Sequence, residues 1–191
     1  MGNLITMCIS AVLINNIVLT QFLGICPFLG VSRNKESAIG MGLAVIFVIF
    51  GASILSYLLY YYVLDPMNIR YMNLISFILV IASFVQFTEM FIKKYSPTLY
   101  KSLGIYLPLI TTNCVVLFVA LANITSGYNF VEMMVYSLSV PIGFMLVLVI
   151  FSYIREKLAI APVPKYFKGN PVALLVAALM AIAFSGLAGL V

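Results

Sequence analysis

Six stretches of the chain carry no charged side chain over about 18 residues or more, the length an α-helix needs to cross the hydrocarbon of a bilayer. They cover residues 1–32, 37–64, 71–88, 102–131, 133–154 and 169–191, each bounded by charge or by Pro, Gly and Asn. A charge in hydrocarbon is expensive, so runs of this kind mark a chain whose solvent is lipid. Composition agrees: of 191 residues, 64% are apolar or aromatic and 8% charged, where a soluble domain carries about 25% charge. The expectation is an all-α integral membrane protein, a single membrane domain over 1–191. Its six transmembrane helices fall near 4–24, 38–63, 71–91, 102–122, 132–154 and 171–190. The first run lacks the basic start and A-x-A cleavage pattern of a signal peptide and is read as a retained helix.

Charge placement sets the orientation, because short loops rich in Lys and Arg stay cytoplasmic. Nine of the ten basic residues fall on one side: Arg33, Lys35, Lys93, Lys94, Lys101, Arg155, Lys157, Lys165 and Lys168. The other side holds Arg70. Both termini of this multi-pass protein are therefore expected outside the cytoplasm. The basic loops read as topogenic signals rather than as a nucleic-acid surface.

Three spans per half would make the halves, roughly 1–92 and 93–191, inverted repeats, a plan common among transporters. Asn16-Ile-Val-Leu resembles Asn113-Cys-Val-Val-Leu at an offset of 97, and Asn73-Leu-Ile-Ser resembles Asn170-Pro-Val-Ala at the same offset. Ile39-Gly40 echoes Ile142-Gly143 at 103, whereas aligning Cys26 on Cys114 needs 88, which leaves the register of helices 1 and 4 open.

The hydropathy is broken in corresponding places by Asn15 to Gly30, which contains Gly24, Cys26 and Pro27, and by Leu107 to Cys114. Helix breakers at membrane depth are tolerated where the backbone is buried in protein or lines a cavity. Each cysteine follows a break, where a new half-helix can start: Pro27 suits a first helical position, and Thr112 or Asn113 an N-cap. A cysteine at a helix N-terminus faces the positive end of the dipole, which favours the thiolate as a metal ligand. Packing is the competing role for a small apolar residue, and it is the one assigned to Cys8. If Cys26 and Cys114 bind one small site they must share a depth, which requires helix 1 to be interrupted between Asn15 and Cys26. At about 1.5 Å per residue a straight helix from Leu4 would carry Cys26 about 33 Å down, past a core of about 30 Å, while Cys114 lies mid-helix. With no histidine in the chain, an imidazole base is excluded, and two thiolates alone cannot hold an iron–sulfur cluster, which needs four ligands.

Several strings together resemble the RnfA/NqrE family, which joins one membrane component of the Rnf electron-transport complexes with its counterpart in the sodium-translocating NADH:quinone oxidoreductase. They are Val12 to Leu19, Phe22-Leu-Gly-Ile-Cys-Pro-Phe-Leu-Gly-Val-Ser32, Ala38 to Gly42, Val85 to Met90, Ser96 to Tyr100, Leu107-Pro-Leu-Ile-Thr-Thr-Asn-Cys114, Ile154 to Leu158 and Ser185 to Gly189. The likeness spans essentially the whole chain, and Cys26-Pro-Phe-Leu-Gly is nearer the Rnf form. The resemblance implies a membrane protein paired with a homologous partner of opposite orientation, RnfE, in a complex with RnfB, RnfC, RnfD and RnfG. It implies a [2Fe-2S] cluster bound by Cys26 and Cys114 of this chain and two cysteines of the partner. The reaction it implies is ferredoxin:NAD⁺ oxidoreduction coupled to Na⁺ or H⁺ translocation, with flavins and nucleotide on other components of the complex.

Glu89, near one end of helix 3, is a candidate for an ion path, with a salt bridge to Lys93 at i+4 as the alternative. Thr112 and Asn113 are further candidates, and Asn15, Asn16, Gln21 and Thr111 either line such a path or join helices. A reading from a different class is a cofactor-free secondary transporter, since broken helices in inverted repeats also bind solutes.

Overall fold

The computed structural model describes residues 2–32, 35–67, 70–95, 109–110, 112–160 and 169–186. Among the described residues all regular structure is helical. Helix α1 (Gly2–Ile9) runs on into one π-helical turn, Ser10–Ile14. Two short helices follow, α2 (Ile17–Thr20) and α3 (Ile25–Val31). The long α4 (Lys35–Leu59) leads through a second π turn, Tyr60–Leu64, into α5 (Asp65–Met67). A 3₁₀ turn, Arg70–Met72, precedes α6 (Asn73–Tyr95). The remaining elements are α7 (Cys114–Thr125), α8 (Phe130–Ile160) and α9 (Asn170–Ser185).

Among the described residues, three segments are long and apolar enough to cross a membrane: Ser37–Leu64, Asn73–Phe91 and Phe130–Ile160. They coincide with the second, third and fifth expected spans. The first expected span, 4–24, is broken into α1 with its π turn and α2, and α3 begins just beyond its end. Of the fourth, the part from Cys114 onward is helical as α7, and residues 102–108 lie outside the described residues.

Helices α4 and α8 form the centre. Met41, Val45, Ile49 and Ala52 of α4 are buried with Phe144, Val147, Leu148 and Phe151 of α8, and Val115 and Val119 of α7 close the cluster. Small residues allow the close approach that membrane helices need, because lipid offers no hydrophobic drive to pull them together. A Cβ on Gly42 would stand 2.6 Å from Met145 Cγ, and one on Gly51 would collide with the Phe84 ring. Phe47, Leu79, Phe87 and Ile182, by contrast, are all more than half exposed. Such surface is unfavourable in water and at no disadvantage against acyl chains.

The offset of 97 has a local structural counterpart. Asn16 stands before α2 at φ −64°, ψ 117°, and Asn113 before α7 at φ −71°, ψ 114°; each accepts from the amide two residues on. Asn73 and Asn170, also 97 apart, open α6 and α9. This local match pairs Cys114 with Ile17 rather than with Cys26.

Candidate metal centre

The first break is built around Asn16, which is buried. The π turn closes with the Asn15 amide on the Ser10 carbonyl at 2.7 Å, and the chain then leaves helical geometry. Asn16 Oδ1 accepts from the Val18 amide at 3.2 Å, which caps α2. Its Nδ2 donates to the Val12 carbonyl at 3.0 Å and across to the Gly143 carbonyl of α8 at 2.9 Å. One side chain thus ties down the π turn, starts α2 and fastens the break to the central helix. Gly143 must lack a side chain for this, since a Cβ there would lie 2.9 Å from the Val12 carbonyl oxygen and 3.1 Å from Asn16 Nδ2.

The chain leaves helical geometry once more between α2 and α3. Phe22 sits in the left-handed region at φ 54°, a strained setting for a bulky residue, and Gly24 follows at φ 80°. Gly24 caps α3, so Ile25, Cys26 and Pro27 are its first three residues. Pro27 therefore takes the third helical position and not the expected first; it is accommodated because amides of the first turn have no intrahelical acceptor. A Cβ on Gly24 would meet Phe144 Cε2 and Val115 Cγ2, each at 2.8 Å.

Cys114 opens α7. Asn113 Oδ1 accepts from the Val115 amide at 3.1 Å, which makes Asn113 and not Thr112 the cap. The Gly24 amide donates to Cys114 Sγ at 3.0 Å. That contact brings the loop two residues ahead of Cys26 onto the second cysteine, across 90 residues of sequence. Both thiols are free and exposed, and each lies in the first turn of a helix.

The donor chemistry suits iron. Two thiols on helix N-termini, with a backbone N–H aimed at one sulfur, match the features that hold and tune an iron–sulfur cluster. Two thiols are half a set, and among the described residues no group of three or more His, Cys, Asp or Glu completes one. The chain has only three cysteines, so a four-thiolate cluster at this place would need at least one from another chain. Cys8 is apart from this pair, where its sulfur accepts from the Ser139 hydroxyl of α8 at 3.1 Å.

The candidate ion-path residues are spread over two neighbourhoods. Glu89 is half-buried on α6 in a narrow apolar pocket with Thr88, Val85 and Ile110. The Ile110 carbonyl accepts from the Asn113 amide at 3.3 Å, so Glu89 lies beside the second break. Asn113 Nδ2 is buried without a partner, Thr112 is exposed, and Thr111 lies outside the described residues. Asn15 and Gln21 instead line a polar cavity of about 320 Å³ with Ser10, Thr20, Tyr128 and Tyr136.

Sequence reasoning misses the parts played by Gly24, Gly143 and Arg155. The two glycines matter through contacts with α7, α8 and the first break at Val12 and Asn16, which no local pattern announces. Arg155 reads in the sequence as a topogenic cation, yet its Nη1 donates to the Leu29 carbonyl at 2.7 Å and to Ser32 Oγ at 2.8 Å.

A family model described as Rnf-Nqr subunit, membrane protein, matches residues 4–191. The chain is 57% identical over 183 residues to the A component of the ion-translocating oxidoreductase complex of Aliivibrio fischeri, covering 96% of this chain and 95% of that one. It is 54% identical over 191 residues to the protein of that name from Syntrophotalea carbinolica, with 100% and 99% covered. It is 54% identical over 187 residues to the A component of the Na(+)-translocating ferredoxin:NAD(+) oxidoreductase complex of Acetobacterium woodii, with 98% and 97% covered.

Proposed function

Because the chain belongs to the Rnf-Nqr family of membrane subunits, we propose that it is the RnfA-type component of an Rnf complex and carries electrons across the membrane interior. In this reading Cys26 and Cys114 are two of four thiolates around a [2Fe-2S] cluster, the other two coming from a homologous RnfE partner of opposite orientation. The complex, with RnfB, RnfC, RnfD and RnfG, performs ferredoxin:NAD⁺ oxidoreduction coupled to Na⁺ or H⁺ movement. One relative carries that ferredoxin:NAD⁺ activity and Na⁺ in its name.

The observation that carries the reading is the Gly24 amide on Cys114 Sγ at 3.0 Å, which draws two remote cysteine segments together. When bound, a [2Fe-2S] cluster supplies reversible one-electron carriage. This chain supplies two thiolates, an N–H at one sulfur and the positive ends of α3 and α7. In a setting poor in water these offset the cost of placing an anionic centre away from solvent.

The same reading orients the chain by its basic residues, with both termini on the non-cytoplasmic side of a bacterial inner membrane. It treats the two halves as inverted repeats of three spans each. Glu89, Thr112 and Asn113, gathered near the second break, remain the proposed ion-path residues.

Ferredoxin-dependent NAD⁺ reduction in membranes tests the assignment. Cys26→Ala and Cys114→Ala are expected to abolish it with the complex still assembled, and Cys8→Ala to leave it near wild type. Full activity in either of the first two variants would defeat the proposal.

A further inference from the structure

Helix α3 holds Cys26 yet has seven residues, too few to persist on propensity alone, so its placement must come from contacts with the rest of the protein. Its far end is held by Arg155 of α8. Nη1 donates to the Leu29 carbonyl in the last turn at 2.7 Å and to the fully buried Ser32 hydroxyl at 2.8 Å, while Nη2 donates to Asn170 Oδ1 at the start of α9 at 3.1 Å. The carbonyls of a last turn lack intrahelical donors and form the negative end of the dipole, so a cation is favoured there. One turn earlier on α8, Phe151 stacks on Phe28 of α3 with ring centroids 4.2 Å apart. Phe28 and Leu29 thus pin α3 to a single stretch of α8 by a ring and a guanidinium. α8 is also the helix whose Gly143 carbonyl holds Asn16 and whose Phe144 bounds Gly24.

We propose that Arg155 is a positioning residue for the metal centre: its fork holds the C-terminal end of α3 and so fixes where Cys26 stands relative to Cys114. The proposal rests on the reading of Cys26 and Cys114 as cluster ligands. A lysine has a single point charge and can replace part of this contact, but it cannot reach Leu29 and Asn170 in two directions from one rigid plane.

The test is made on the assembled complex, with Arg155→Gln, Arg155→Lys and, as a control, Lys35→Gln. Lys35 lies near the same end of α8, exposed and paired with Glu156, and its described bonds do not include α3. Iron retained against a chelator and the electron-paramagnetic-resonance line shape of the reduced centre are measured together. Arg155→Gln is expected to lose iron about tenfold faster, as loss of a charge-assisted hydrogen bond implies, and to give a shifted or broadened signal. Arg155→Lys should recover part of both, and Lys35→Gln should match wild type. Wild-type signal and retention in Arg155→Gln would overturn the proposal, as would equal changes in Lys35→Gln. If Arg155→Gln does not assemble, Ser32→Ala and Arg155→Lys decide by the same two readings, with unaltered signal in both refuting the role. Cys26→Ala separates the two layers. A signal that survives it refutes the ligand assignment and this inference with it, whereas its loss, beside wild-type behaviour of the Arg155 variants, refutes this inference alone.

Discussion

Two asparagines with the same backbone geometry hold the two breaks with unequal strength. Asn16 uses Oδ1 for a cap and Nδ2 for two carbonyls, whereas Asn113 makes the cap and leaves Nδ2 buried and unpaired. Asn16→Ala is therefore expected to cost about 3 kcal/mol, a cap plus the cross-helix bonds. Asn113→Ala should cost about 1 kcal/mol, the cap alone. Denaturant unfolding of the two variants in detergent checks the ordering, and equal losses would contradict it. At Gly24 the constraints are conformational and steric together, with φ at 80° and two side-chain carbons 2.8 Å from any Cβ. Gly24→Ala should move the amide off Cys114 Sγ, so the assembled complex is expected to lose iron while its protein composition stays at the wild-type level. Wild-type iron in that variant would show that the amide has no part in the centre.

At the scale of elements, much of the break pattern is legible in the sequence and its fastening is not. Asn, Gly and Pro in runs otherwise fit for a bilayer mark where helix cannot continue, and the depth of Cys26 along a straight helix demands an interruption. The chain does leave helical geometry at Asn15–Asn16, and again before Gly24. Which turn each residue serves is decided by tertiary contact. Pro27 stands at the third helical position instead of the expected first because Gly24, in a left-handed conformation, takes the capping place. Arg155 is, by sequence, one topogenic cation among nine, since its acceptor Leu29 is 126 residues away and no spacing rule links them. Gly143 is visible there only as an echo of Gly40, and its use comes from the backbone at Val12 lying against it. Gly143→Ala should push that backbone from α8 and destabilise the protein by about 1–3 kcal/mol, the usual cost of overpacking. A thermal transition unchanged from wild type would show that the segment has room to give.

For the whole molecule, the central fact is a lipid-facing bundle with a pair of exposed thiols and, among the described residues, too few ligands to complete a metal site. Its orientation is a separate claim and can fail separately. If the six expected spans hold, nine of the ten basic residues share one side, and a reporter active only in the cytoplasm should be silent when fused after Val191 and active when inserted between Lys93 and Lys101. Activity at Val191 would reverse the orientation and with it the expected inverted pairing with the partner. The claim that this chain contributes half of a shared cluster is tested most directly by electron paramagnetic resonance of the reduced, assembled complex. One [2Fe-2S] signal is expected, which disappears in Cys26→Ala and in Cys114→Ala and persists in Cys8→Ala. A signal of full intensity in either of the first two, or its loss in Cys8→Ala with the complex intact, would contradict it.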